Sequence, residues 1–338
     1  PPRNLQGNAE ETTMQFHRRG ILKLAASAPF MPAASRLAQA ETYPSHPVHV
    51  VVPQAAASST DIHARLISQW LQEHLGQPFV VDVKPGAGGN VGTEFVVHAT
   101  PDGYTLLTVN SQNAISPALY PDLTFNFLKD IAPISPISIA PMIMEVNPSL
   151  PVTTVPEFIA YAKANPGKIN MASAGVGGPQ HLAGELFKSM TGLNLVHVPY
   201  RGSTPAVTDM LAGNVQLMFD VTPTALPQVK AGKLRALAVT TKERIPALPD
   251  LPSLSDFLPG YEAEGWLGMG APAGTPKDII GTLNKQINDA LGDATIKQRL
   301  SDIGVIVRGG SPEDFGKFCA AETAKWGKVI RDAGIKPD

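Results

Sequence analysis

The sequence predicts an α/β fold with mostly parallel sheets flanked by helices. Three observations lead there. Short apolar, β-branched runs alternate along the chain with helical periods, which is the pattern of βα units covered on both faces. The length, 338 residues, exceeds one average domain and suits two. Hydrophobic residues make up 43% and charged residues 17%, enough apolar matter for real cores and too little charge for disorder.

The first segment, 1–40, reads as a removable leader. Residues 1–13 precede Met14 and read as a mis-called start or an untranslated remnant. His17 to Lys23 then carries paired Arg18 and Arg19, a weakly apolar stretch runs from Ile21 to Met31, and Ala38-Gln39-Ala40 gives a small-x-small cleavage pattern. The text resembles a twin-arginine export signal. Lys23 and Pro29 interrupt it, so it falls short of the roughly 20 apolar residues of a membrane span. Cleavage would leave a soluble periplasmic protein starting near Glu41.

Residues 41–338 hold 22 basic and 27 acidic side chains, a net charge of −5. Such a chain does not steer anions by its overall field, so any anion site must be local. No basic face, zinc spacing or aromatic–basic interleaving points to nucleic acid. Cys319 is the only cysteine, which excludes an internal disulfide. Its helical surroundings, FGKFCAAETAKW, read as a buried small hydrophobe.

Strands are predicted at 49–53, 79–83, 105–109, 169–173, 195–199, 215–220 and 234–239. Helices are predicted at 61–75, 90–99, 155–165, 179–191, 203–212, 277–291 and 311–333. Thr154-Val-Pro-Glu157, Thr275-Pro-Lys-Asp278 and Ser311-Pro-Glu-Asp314 each place a hydroxyl cap, an early proline and an acid at a helix start. The 277–291 helix presents Ile279, Ile280, Leu283, Ile287 and Leu291 as one stripe. No internal repeat or low-complexity linker interrupts these elements.

Two of the βα junctions are unusual. HVVVPQAAASSTDIHARL leaves a buried strand through Gln54, Ala55, Ala56, Ala57, Ser58 and Ser59 and enters a helix at Thr60 and Asp61. INMASAGVGGPQHLAGELF repeats the device with Ser173, Ala174, Gly175, Gly177 and Gly178 before a helix containing His181. Small side chains let a ligand reach the backbone, and helix N-termini carry partial positive charge suited to a carboxylate or phosphate. Two such ends in separate halves of the chain suggest two lobes facing one cleft. Small loops are also ordinary βα connectors. Asp61 in a first turn suits the helix dipole as a structural acid, and His181 reads more readily as a hydrogen-bonded structural histidine than as a ligand contact.

Enzyme signatures fail. There is no G-x-S-x-G elbow, no H-E-x-x-H and no Walker sequence. GAGGNVG at 86–92 follows a strand, but its third glycine is out of register for a dinucleotide loop. The eight histidines form no metal spacing, so neither a metal nor a cofactor is expected.

From Tyr43 onward, ordered stretches carry a family resemblance. They include LGQPFVVDVKPGAGGNVGTEFV, ATPDGYTLL, SPALYPDLTFNFLKDIAPIS, SAGVGGPQHLAGELFK, VPYRGSTPAVTDMLAGNVQLMFD and APAGTPKDIIGTLNKQI. The chain resembles the tripartite tricarboxylate receptor family, the Bug-type periplasmic solute-binding proteins. The resemblance implies a two-lobed, type II-like periplasmic binding fold with two crossing strands as hinge. It implies lobe 1 at 41–140 plus 262–338 and lobe 2 at 141–261. A ligand carboxylate would lie between 54–61 and 173–181, partly through ordered water, with Asn110, Ser111 and Asp220 as further walls. The family's first loop usually carries an aromatic and a glycine run; here it is Gln54 to Ser59, with alanines and serines.

The functional expectation is an exported receptor, not an enzyme and a monomer. It would bind a small organic anion and deliver it to a membrane permease or a sensor protein. The alternative is a periplasmic enzyme on the same scaffold. Backbone N–H groups and hydroxyls are expected to hold the anion, with Arg201 peripheral. Gly177→Val is expected to block the ligand's approach.

Overall fold

In the computed structural model of the chain, residues 43–56 and 58–336 are described; the predicted leader and the candidate site residue Ala57 lie outside them. The first half is built on β1 (Val48–Val52), flanked in parallel by β2 (Phe79–Val83) and β3 (Thr105–Asn110). Val50, Val51 and Val52 are all buried because both faces of β1 are covered. The crossovers carry α1 (Ser59–Leu75) and α2 (Asn90–Val97), and α3 (Ser111–Leu119) and the short α4 (Phe127–Asp130) follow β3.

The chain then enters β4 (Ile131–Val146), a 16-residue strand. After it come α5 (Val155–Ala164), β5 (Asn170–Ser173), α6 (Pro179–Thr191) and β6 (Val196–Pro199). Next are α7 (Ser203–Ala212), β7 (Leu217–Val221), α8 (Thr222–Lys230) and β8 (Arg235–Val239). Here β5 is the parallel centre, between β6 and β7. The chain returns through β9 (Glu264–Pro272) and ends with α9 (Lys277–Gly292), α10 (Ala294–Asp302), β10 (Ile306–Val307) and α11 (Pro312–Ala333).

Strand order is β2-β1-β3-β9-β4-β7-β5-β6, with β8 and β10 also on β4. The βα units are parallel, and every antiparallel pair involves β4 or β9. β4 pairs with β9 from Ile131 to Pro141, then with β7 and β8 from Met142 to Val146. One strand thus belongs to both sheets. α11 spans both cores in the same way. Its Phe315 and Cys319 pack with Trp266, while its Trp326 and Ile330 pack with Leu182 and Phe187 of α6. Burial, then Glu322, pushes the Cys319 thiol up to about 12, as suits a packing residue rather than a nucleophile.

The expected caps are present at two of three sites. Thr154 and Glu157 form a reciprocal capping box, and Ser311 Oγ accepts from the Asp314 N–H at 3.1 Å. At the third, Pro276 is the N-cap of α9, and the Thr275 hydroxyl instead donates to the Pro272 carbonyl at 2.8 Å.

Candidate functional site

Parallel strands put their C-terminal ends side by side. β1, β2 and β3 therefore feed α1, α2 and α3 at one edge, and β5, β6 and β7 feed α6, α7 and α8 at another. All six junctions line one cleft of about 600 Å³. Ala140 of β4 and Gly265, Trp266 and Leu267 of β9 complete its wall. Helix N-termini leave N–H groups without intrahelical partners and carry partial positive charge. Strand ends that feed helices are also where α/β sheets bind ligands.

In the first half, Ser58 caps α1, its Oγ accepting from the Asp61 N–H at 3.3 Å. The same helix end is tied back to β4. His63 is fully buried, with Nδ1 2.7 Å from the Ser59 carbonyl and Nε2 3.0 Å from Ser138 Oγ. A carbonyl only accepts, so Nδ1 carries the proton and the Ser138 hydroxyl donates to Nε2. Burial pushes His63 below its ordinary range and favours this neutral form. Asp61 is buried, and its carboxylate meets Arg65 Nε at 3.0 Å, one turn along the helix.

The GAGGNVG loop, whose third glycine is out of register for a dinucleotide loop, forms part of the wall through Gly86, Gly88 and Gly89. Its glycines have a packing reason. A Cβ on Gly92 would come within 2.9 Å of Pro53 Cα, and one on Gly89 within 2.9 Å of Gln54 Nε2. α2 is pressed onto the end of β1, a close approach that any Cβ would obstruct. At the next junction Asn110 caps α3, accepting from the Gln112 N–H at 2.9 Å, while Asn113 accepts from the Asn110 N–H at 2.9 Å.

In the second half, Ser173 is fully buried, and its Oγ lies 2.7 Å from His197 Nε2 and 3.0 Å from the Gly175 carbonyl. The Gly177 N–H donates to His181 Nδ1 at 3.0 Å. His181 stacks on His197 with ring centroids 3.6 Å apart, and its Nε2 is 3.5 Å from Glu185. Burial first, then neighbouring His181, pushes His197 down to about 4. Asp220, also fully buried, accepts from the Val221 N–H at 2.9 Å and from the Thr224 hydroxyl. Gln180 and Ser203 bond it too, so one carboxyl braces the starts of α6, α7 and α8; burial raises its pKa, against the pull of these bonds.

Of the residues singled out from sequence, Gln54, Ser58, Ser59, Thr60, Asn110, Ser111 and Ala174 line the cleft. Asp61, Ser173, Gly175, Gly177, Gly178, His181 and Asp220 stand behind it, where they shape the lining turns. The reasoning for Gly177→Val needs correction. Gly177 has φ +68°, and Leu119 of α3 occupies the space a Cβ would need, so valine would collide with a side chain rather than with a ligand. Arg201 needs correction as well. It lines the cleft, is exposed, and is the only charged side chain in its wall among the described residues. Its position just before α7, in VPYRGS, was the available signal.

Two α/β halves with a cleft between them, joined by two crossing strands, define a two-lobed solute-binding protein. Residues 63–335 match the family described as the tripartite tricarboxylate transporter family receptor, and the chain belongs to that family. It is 38% identical to R. palustris Rpa4515, solved with adipate, covering 88% of this chain and 100% of that one at a TM-score of 0.78. It is 35% identical to the periplasmic binding protein BugD, with 88% and 100% covered and a TM-score of 0.75. MatC (Rpa3494) of Rhodopseudomonas palustris, with bound malate, is 31% identical, with 85% and 100% covered and a TM-score of 0.74.

Proposed function

We propose that this protein is a periplasmic receptor that binds a small organic carboxylate between two lobes and hands it to a tripartite tricarboxylate-type permease or a sensor. The observation that carries this reading is the cleft's chemistry. Six helix N-termini and Arg201 face it, and no carboxylate lines it among the described residues. A carboxylate there accepts several charge-assisted hydrogen bonds of roughly 1.5–3 kcal/mol each. The adipate and malate carried by two relatives support the ligand class. Ser58, Ser59, Thr60, Asn110 and Ser111 would supply hydroxyl, amide and backbone donors from lobe 1, and the turn after Ser173 would supply them from lobe 2. The lobes we propose are 41–140 plus 262–338, and 141–261. The protein works as a monomer and a binder, not as an enzyme, and the twin-arginine-like leader exports it.

Calorimetric titration with adipate, malate and the matching amides tests the reading. Micromolar or tighter binding of an acid, with its amide at least tenfold weaker, is the expected result. Equal affinity for acid and amide refutes the carboxylate claim, and turnover of a bound acid refutes the receptor in favour of an enzyme.

A further inference from the structure

We propose that His181 is a proton-sensitive positioning residue: its Nδ1 holds the Gly177 N–H, and protonation releases the ligand-facing turn between β5 and α6. The proposal rests on the carboxylate reading of the cleft for its consequence, but not for its geometry. Gly177 N–H to Nδ1 is a 3.0 Å bond inside a buried group, and His181 is 5% exposed. Because an amide N–H only donates, Nδ1 carries the lone pair and Nε2 carries the proton. Nε2 accordingly faces the Glu185 carboxylate at 3.5 Å. Ala174, Pro179 and Gln180, on either side of this bond, line the cleft.

An imidazolium has hydrogens on both nitrogens and cannot accept. Protonating His181 would set the Nδ1–H against the Gly177 N–H and break that bond. The groups that face the ring are few. His197 of β6 stacks on it, Glu185 and Lys188 lie on its own helix, and Asp220 of β7 is bonded by neighbouring Gln180. From α11, Lys325, Lys328 and Asp332 share a cavity with Glu185. Burial, then His181, holds His197 down to about 4, so the partner ring of the stack stays neutral from pH 8 to pH 5.

The sign of the effect separates this mechanism from simple electrostatics. A new positive charge behind an anion cleft would by itself tighten anion binding on acidification. Loss of the Gly177 acceptor predicts the opposite: affinity for adipate falls roughly tenfold as His181 is protonated.

The experiment follows the Gly177 amide by NMR in the ligand-free protein from pH 8 to pH 5, beside the His181 ring signals. Adipate affinity is measured at pH 7.5 and 5.5 in the same buffers. The wild-type Gly177 amide is expected to shift with the His181 titration and adipate binding to weaken. His181→Asn keeps an acceptor where Nδ1 stood; it is expected to lose both pH responses and to bind adipate more tightly than His181→Leu. A Gly177 amide that stays flat while His181 titrates, a His181 that stays neutral to pH 5, or adipate binding that holds or tightens in acid would each overturn the proposal. If adipate fails to bind at all while the amide follows His181, the carboxylate reading is lost and the hydrogen-bond coupling stands.

Discussion

Glu264 opens β9 opposite Pro141, at the point where β4 leaves one sheet for the other. It is 5% exposed, and its nearest cation, Arg308, is 3.8 Å away, too long for a good hydrogen bond. Burial first, then Glu262 and Glu322, pushes its carboxyl up to about 7, against the pull of Lys325 and Arg308. The unfolded chain releases this proton near 4.5, so between 4.5 and about 7 the folded state holds a proton that the unfolded state has lost. Stability must therefore fall as pH rises through that window, and it is retained in full below it. At about 1.4 kcal/mol per pH unit the contribution comes to about 3 kcal/mol. Glu264→Gln imitates the neutral form at every pH. Urea denaturation of both proteins at pH 4.5, 6 and 8 should show near-equal stability at 4.5 and the variant ahead by as much as about 3 kcal/mol at 8. A variant no more stable at pH 8 than at 4.5, relative to wild type, would refute the reasoning and show that the charged form is well paired with Arg308.

Three further outcomes follow from the site. Gly177→Ala should cost about 1–2 kcal/mol from the left-handed backbone alone, plus the collision with Leu119. A double-mutant cycle with Leu119→Ala should recover the collision part, and strict additivity would remove Leu119 from the argument. Ser138→Ala leaves buried His63 Nε2 without its donor and should lower stability by about 1–3 kcal/mol in denaturant titrations, whereas an effect under about 0.5 kcal/mol would mean the bond is not made. Arg201→Gln should weaken adipate several-fold at low salt and less at 0.5 M salt, because the guanidinium is exposed and screened; an unchanged calorimetric affinity would return Arg201 to the periphery.

The βα alternation was legible because each parallel strand is a short apolar run beside a helix. The two crossing strands were not. β4 contains Pro133, Pro136 and Pro141, which argue against a strand, and its pairing with β9 shifts register between Pro133 and Ser135 and again between Pro136 and Ser138. β9 contains Gly265, Gly268 and Gly270, a pattern that reads as a loop. In the fold Phe315 lies where a Cβ on Gly268 would stand, and Ile131 comes within 2.6 Å of one on Gly270, so the glycines admit neighbouring side chains. α3 and α8 were hidden by Pro117 and Pro227 inside them. At the site, two helix-start loops could be read locally. That six converge depends on strand order, and the partnerships of His63 with Ser138 and His181 with His197 join elements distant in sequence.

The cleft also answers how a chain with a net charge of −2 would offer a place to the proposed anion. Long-range attraction is not the means. At physiological salt, charges more than about 8 Å apart are largely screened, so what lies in and just behind the wall decides. The wall carries helix ends and one arginine. Behind it, the acids are handled in two ways. Asp61 is neutralised by Arg65 at 3.0 Å. Asp220 and Glu145, both fully buried on β7 and β4, are pushed by burial toward their protonated forms, and Asp220 pushes Glu145 further. Asp220 turns its oxygens to donors at three helix starts, the Val221 N–H, Thr224, Ser203 and Gln180, behind the wall rather than in it. On the proposed reading, the small residues Ala55, Ser58, Ser59 and Thr60 in the wall would keep the positive end of α1 within reach of a carboxylate, on a helix whose first turn His63 fastens to the strand that crosses between the sheets.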